Sequence, residues 1–360
     1  MWSSTLGAVT ATITRPWHPS ARARYHPGVS AYLLLALIFL WAPRSVEAAQ
    51  PERLPSPLAS QIHPLGYYSL PLDPASRKLA TLGLLDGRPA LLMFGSGFTF
   101  TTLDRSVAKY FDGLPNVADQ LLDPFWGRIS GSNWFVIRRL DLSRAQFTNL
   151  PVQFKDLSTG AKHIKNIYNG VLGADFLNRS RALICCDERR LLLRGQPSSA
   201  EEQRKLEEIL RSAGYTEVTM DGTRLPTWMV PVRMNNVDFK MVVDTGSDIT
   251  TLDKRKANAA KIQPAWGPNA MDLAGIDGHQ GTFSRAIVKN FRIGEYEERE
   301  YRFLVGDMSP WSLQPTDSSP DSASASGEDP SCLLGLDYLR SRRAVIDFQA
   351  GKLWLHPPGK

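Results

Sequence analysis

The sequence predicts a mainly β, all-β-class protein with short helices, built as two lobes in tandem, and three observations predict it. The first is an internal repeat. Thr101-Thr102-Leu103-Asp104 recurs letter for letter as Thr250-Thr251-Leu252-Asp253, 149 residues downstream, and Val171-Leu172-Gly173-Ala174-Asp175-Phe176-Leu177 lines up with Leu333-Leu334-Gly335-Leu336-Asp337-Tyr338-Leu339, 162 residues downstream. Two motifs repeated in the same order mark a duplicated supersecondary unit. The second observation is a pair of two-residue hairpin signals at equivalent places, Asp86-Gly87 and Asn235-Asn236. The third is the alternation of Val237, Phe239, Met241 and Val243 with Asp238 and Lys240, the period of a half-buried strand.

Taken in order, the chain opens with a targeting pattern. Ala31 to Ala42 is an apolar run of 12, preceded by Arg15, Arg22 and Arg24 and followed by Val46-Glu47-Ala48, so residues 1–49 read as a signal peptide. A span of the bilayer takes about 20 apolar residues, so retention of 31–42 as a membrane anchor is the minor reading. The expected location is exported, periplasmic or secreted, with no stable membrane span in the mature form. Residues 50–76, rich in Pro and polar side chains, read as an extended lead-in. A first lobe follows over 77–195. Residues 196–222 read as a linker helix, because Ser198-Ser199-Ala200-Glu201-Glu202 caps a run with Leu206, Ile209 and Leu210 that Gly214 stops. The second lobe is 223–360, with a short helix expected over 253–261. The two repeat offsets differ by 13 residues, which places an insertion in the Pro/Ser/Asp-rich stretch 309–330.

Composition bounds the function. At 42% hydrophobic and 22% charged, the chain is ordinary for a globular protein. Residues 1–49 hold four Arg and one Glu, half of the formal charge of +6, and what remains is too mild to imply nucleic acid. Three cysteines, Cys185, Cys186 and Cys332, make no disulfide framework and read as small buried hydrophobes. No Cys/His cluster has metal-ligand spacing, so no metal is expected.

The candidate chemistry lies where an apolar strand, Met241-Val242-Val243, runs into Asp244-Thr245-Gly246-Ser247-Asp248. A catalytic Asp needs a rigid strand end, a neighbouring hydroxyl to fix the turn, and a Gly where backbone approaches a partner closely. Alone, the triplet also fits an ordinary Asp-x-Gly turn. Its context is the second element, Leu333-Leu334-Gly335, 91 residues after Asp244 at its Gly.

This pairing, over roughly Arg224 to Leu355, resembles the retropepsin-like aspartic proteases. The resemblance implies two retropepsin-like or pepsin-like half-barrel lobes and hydrolysis of polypeptide by a carboxylate-activated water, with no cofactor. It makes Asp244 the catalytic Asp, Thr245, Gly246 and Ser247 its turn, and Gly335 with Leu334 the supporting strand behind it. It also likens Leu273 to Thr282, with Gly275, Ile276, Asp277 and Gly278, to the flap over the substrate. Ser247 is expected to donate its hydroxyl to the Asp244 carboxylate. Asp248, Asp337 and Asp347 are held as structural or surface charges. The first lobe departs from the pattern: Gly95, Ser96 and Gly97 stand where the second has Asp244, Thr245 and Gly246. Two function classes follow, an exported aspartic endopeptidase and a pseudoprotease or peptide-binding bilobed protein that kept the cleft. Pairing of the lobes within one chain is expected to set Asp244 against Gly95, and a homodimer through residues 223–360 is the arrangement that would set Asp244 against Asp244.

Overall fold

The computed structural model describes residues 57–111, 122–123, 127–128, 134–157, 168–222, 227–265, 270–275, 280–308 and 332–357. The expected signal peptide, the expected insertion over 309–330 and the tip of the expected flap, Ile276 to His279, lie outside the described residues. The described chain belongs to one compact unit, Pro55–Lys360. It is mainly β, with two barrels and a sheet shared between them.

The first barrel closes in the order Ala80–Leu85, Arg88–Phe94, Gly170–Leu172, Thr102–Asp104, Ala145–Lys155, Trp134–Leu142. The second runs Trp228–Met234, Val237–Val243, Cys332–Leu334, Thr251–Asp253, Tyr296–Gly306, Gln280–Ile293, and closes where Val232 to Met234 pair with Phe291 to Ile293. The two orders are the same, as a duplication requires. Each barrel opens with the hairpin that its turn residues select. Asp86 and Gly87 have φ of 47° and 82°, and Asn235 and Asn236 of 47° and 69°. Positive φ at both positions matches the right-handed twist of the flanking strands, and Asp, Asn and Gly accept it at least cost.

One topological feature makes the candidate site rigid. The short strand Cys332–Leu334 lies between the strand entering the Asp244 turn and the strand leaving it, parallel to the first (Val243 beside Leu334) and antiparallel to the second (Thr251 beside Leu333). Gly170–Leu172 does the same in the first lobe. Gly170, Val171 and Leu172 are all buried, as are Cys332 and Leu334, so both faces of these strands are covered and the segments read as continuous apolar runs rather than alternating ones.

The last strands of each lobe leave their barrels for a six-stranded antiparallel sheet ordered Tyr68–Pro71, Arg190–Leu193, Leu183–Cys185, Val345–Asp347, Lys352–Leu355, Thr216–Thr219. Its pseudo-dyad passes through the pair Ile184 and Ile346. One face packs into the main core through Ile184, Leu191, Ile346 and Leu353. The other, through Leu183, Leu192, Val345 and Trp354, is covered by Leu58 and Ile62 of the helix Pro57–Ile62 and by Leu206 and Leu210 of the connector helix.

Two expected boundaries are therefore revised. The described part of the lead-in 50–76 is not extended throughout, because Leu58, Ala59 and Ile62 form a helical face buried against the shared sheet, and Tyr68–Pro71 is an outer strand of that sheet. Similarly, 196–222 contains more than a helix. Ala200–Ser212 has the expected capping box between Ser199 and Glu202 and a left-handed Gly214 (φ 87°), but Thr216–Thr219 then becomes the opposite outer strand. The helix after the Asp244 turn is Lys254–Ala259, capped by the Asp253 side chain. All three cysteines are buried, and none of them forms a disulfide.

Candidate active site

The Asp244 turn meets the Gly95 turn of the same chain, and the two are built alike. Asp244 N donates to Leu334 O (3.0 Å), as Gly95 N does to Leu172 O (3.1 Å). Leu336 N donates to Ser247 O (2.8 Å), as Ala174 N does to Phe98 O (2.7 Å). The carboxylates Asp337 and Asp175 do equivalent work, each accepting the N–H and hydroxyl of one Thr, Thr250 or Thr101. Gly335 and Gly173 pass directly behind the turns. A Cβ on Gly335 would sit 2.6 Å from the carbonyl carbon of Ile249, and one on Gly173 2.7 Å from that of Phe100, so only glycine permits this approach.

Four hydrogen bonds lock the turns to each other across the lobe boundary. Ser96 Oγ donates to Val243 O (2.6 Å) and accepts from Thr245 N (2.9 Å), while Thr245 Oγ1 donates to Phe94 O (2.8 Å) and accepts from Ser96 N (3.1 Å). Thr245 is fully buried and Ser96 nearly so. Thr245→Val keeps the volume but removes both of that hydroxyl's bonds, leaving Ser96 N–H and Phe94 C=O unpaired out of water. The expected loss is about 2–6 kcal/mol, from about 1–3 kcal/mol for each of the two orphaned groups. Urea unfolding reads it, with Ser96→Thr, which keeps the hydroxyl, as the tolerated control. A Thr245→Val midpoint equal to that of the unsubstituted protein would rule the interlock out as a source of stability.

Asp244 is 6% exposed. Its Oδ1 accepts Gly246 N (2.7 Å) from its own turn and Gly97 N (3.0 Å) from the other lobe. Burial pushes its proton affinity above the ordinary carboxylate range, opposed by the N–H of Gly246, the positive charge of Lys78, and the N–H groups of Gly97 and Ser247. The hydroxyl of Ser247 takes no part. It donates to Ile249 O (2.7 Å) two residues on, because the turn carries the side chain away from the carboxylate, which corrects the expected Ser247 to Asp244 bond.

Asp244 faces glycine. A Cβ on Gly97 would fall 2.3 Å from Asp244 Cγ, so the carboxylate lies directly on the backbone of the opposite turn. Gly95 is equivalent to Asp244, and the space a side chain would need there is filled: a Cβ would meet Val171 Cγ1 at 2.8 Å and Phe98 Cδ2 at 3.1 Å. Val171, Met93 and Leu157 form a small apolar cluster with Phe98 and Tyr168 against it. Among the described residues, Asp244 is the carboxylate where the two turns meet, and the Gly95 turn brings none to face it. A homodimer placing Asp244 against Asp244 would require the first lobe to leave this position, since its own Ser96 and Gly97 already hold the Asp244 turn.

Of the remaining expected residues, Gly275 ends the described part of a hairpin leg, Met271–Ala274 paired with Gln280 to Phe283. Ile276, Asp277 and Gly278 lie outside the described residues. Asp347 is buried in the shared sheet and accepts Gln203 Nε2, Gln349 N and Ala350 N. Asp248 is half-exposed and pairs with a residue that the sequence did not single out, Lys78. Lys78 Nζ lies 2.9 Å from Asp248 Oδ1 and donates to Gly246 O at 2.7 Å. No motif surrounds Lys78, and only the fold brings it to the turn. Among the described residues, no group of three His, Cys, Asp or Glu side chains is arranged to hold a metal ion, and no helix is long and apolar enough to cross a membrane.

Residues 230–338, within the second lobe, match the family described as Aspartyl protease. Solved structures similar to the chain include the aspartic proteinase from Irpex lacteus (13% identity, 81% of this chain and 98% of that one, TM-score 0.42). A retropepsin-like aspartic protease from Rickettsia conorii is also similar (20% identity, 39% and 89%, TM-score 0.25), as is the retroviral protease-like domain of Ddi1 from Leishmania major (16% identity, 35% and 86%, TM-score 0.25).

Proposed function

We propose, from the match of residues 230–338 to the aspartyl protease family, that this chain is an aspartic endopeptidase acting on polypeptide through Asp244 alone. The observation that carries the reading is the Asp244 carboxylate itself, buried where two turns meet and fixed by N–H groups from both. A carboxylate so held keeps one geometry and one basic oxygen edge, which suits a general base. It would take a proton from water while the hydroxyl adds to the peptide carbonyl carbon. The same proton would pass from Asp244 to the leaving nitrogen as the C–N bond breaks. Gly95 removes the acid that polarises the carbonyl in a two-carboxylate site, so turnover should be slow.

Gly95, with Val171 and Phe98 packed where its side chain would go, favours a second reading, a bilobed peptide-binding protein without hydrolysis. Incubation with a mixed peptide library, read by mass spectrometry for new termini and by equilibrium binding for retained peptides, separates the two. Export belongs to the same proposal, on the strength of the Arg-flanked apolar run before Val46-Glu47-Ala48. Amino-terminal sequencing should find the mature chain starting near residue 49, and a mature terminus at Met1 would reject it.

A further inference from the structure

We propose that Lys78 is the charge partner which the first lobe supplies to Asp244 in place of the carboxyl missing at Gly95. The inference rests on the hydrolase reading for its functional meaning and on geometry for its content. Lys78 is held, not loose. Its carbonyl and those of Asp73 and Ser76 all accept from Arg189 Nη2 (2.8, 2.5 and 2.7 Å). Its N–H donates to Ser76 Oγ, which in turn bonds the Tyr168 hydroxyl, and the carbonyl of neighbouring Arg77 accepts from Arg340 of the second lobe. This strap delivers the ammonium to Gly246 O, on the residue whose N–H grips Asp244 Oδ1. The side chain is only 21% exposed, so solvent screens its field incompletely.

The electrostatic surroundings of Asp244 are few. From its own turn comes Asp248, a like charge, paired to Lys78. Behind the turn, Asp337 is committed to Thr250 and to Tyr338 N, and Arg340 to Arg77 O. The Gly95 to Phe98 turn and the strand Cys332–Leu334 bring no ionisable side chain other than the buried thiol of Cys332. Two carboxylates in contact share one proton and operate in acid because they repel. Here the opposite turn offers no repelling carboxylate, and the charge of Lys78 favours the anion. Lys78 thus acts as a positioning residue that holds Asp244 ionised, and so available as a base, to a lower pH than burial alone would allow.

The test reads the Asp244 carboxyl directly, by carbon chemical-shift titration in protein with labelled aspartate, and compares Lys78→Met, Lys78→Arg and Asp248→Asn. Removing the cation should move the Asp244 midpoint up by about one pH unit, the lower end of what an adjacent opposite charge produces. Lys78→Arg should restore it, and Asp248→Asn, which removes a like charge, should move it down. If the pair only tied the lobes together, Lys78→Met and Asp248→Asn would lower the unfolding midpoint alike and leave the titration where it was. That result, or a shift of the same sign in both variants, overturns the proposal. Should Lys78→Met not fold, the downward shift in Asp248→Asn decides. The titration needs no turnover, so an inactive protein would sink the hydrolase reading and leave this inference standing or falling on its own.

Discussion

Asp244→Asn should lower kcat/KM for peptide cleavage by at least about a thousandfold while leaving the protein as stable as before or more so. The first half follows from the chemistry, since an amide has no basic oxygen to take a proton from water, and loss of a general base that also returns the proton costs on the order of three or more powers of ten. The second half follows from burial. The Asn carbonyl can still accept Gly246 N and Gly97 N, while the charge that desolvation penalises is gone. The sign of the pH dependence is fixed by the same fact. A carboxyl whose proton affinity is raised on folding binds protons more tightly in the native state, so stability falls as pH rises through the window just above the ordinary carboxylate value. Asp244→Asn should flatten that part of the stability profile. Cleavage that persists in the variant would show that peptide hydrolysis, if present, does not run through Asp244. A large loss of stability would instead mark Asp244 as a structural anchor.

The duplication was legible because the repeat copies the residues that make turns and close packing: the Asp/Asn/Gly hairpins, Gly173 and Gly335 behind their turns, and the Thr and Asp that tie them. Those positions tolerate few side chains, so one sequence displays them. The alignment also put Ser96 opposite Thr245, where the two hydroxyls interlock. Three things were not legible. The outer strands Tyr68–Pro71 and Thr216–Thr219 are short, and their partners lie more than a hundred residues away in sequence, so no local pattern announces the sheet they complete. In the sequence the Ser247 hydroxyl has candidate acceptors on both sides, Asp244 before it and Ile249 after it, and the backbone of the turn commits it to Ile249 O. Lys78 looks like any surface lysine until Arg189 folds its segment against the second lobe.

Restoring a second carboxylate should raise activity, but Gly95→Asp by itself should fail. The Cβ would enter at 2.8 Å from Val171 Cγ1 and 3.1 Å from Phe98 Cδ2, and Val171 is a fully buried strand residue with little freedom to move. Overpacking of this kind costs about 1–3 kcal/mol, and a carboxylate forced against an apolar cluster adds a desolvation cost. The second lobe shows what must change: Ser247 occupies the place of Phe98, and Leu333 that of Val171. Combining Gly95→Asp with Phe98→Ser and Val171→Ala opens the position and puts two carboxyl groups at equivalent places on facing turns. Such a pair cannot both ionise, so one stays protonated as the acid and the other remains the base. General acid assistance contributes about a hundred- to ten-thousandfold. The triple variant should therefore cleave peptides at least a hundredfold faster than the unsubstituted chain, as a monomer, with its pH optimum displaced towards acid. Gly95→Asp alone should show neither gain. A triple variant that folds, binds peptide and cleaves no faster would mean that the missing carboxyl is not what limits this site.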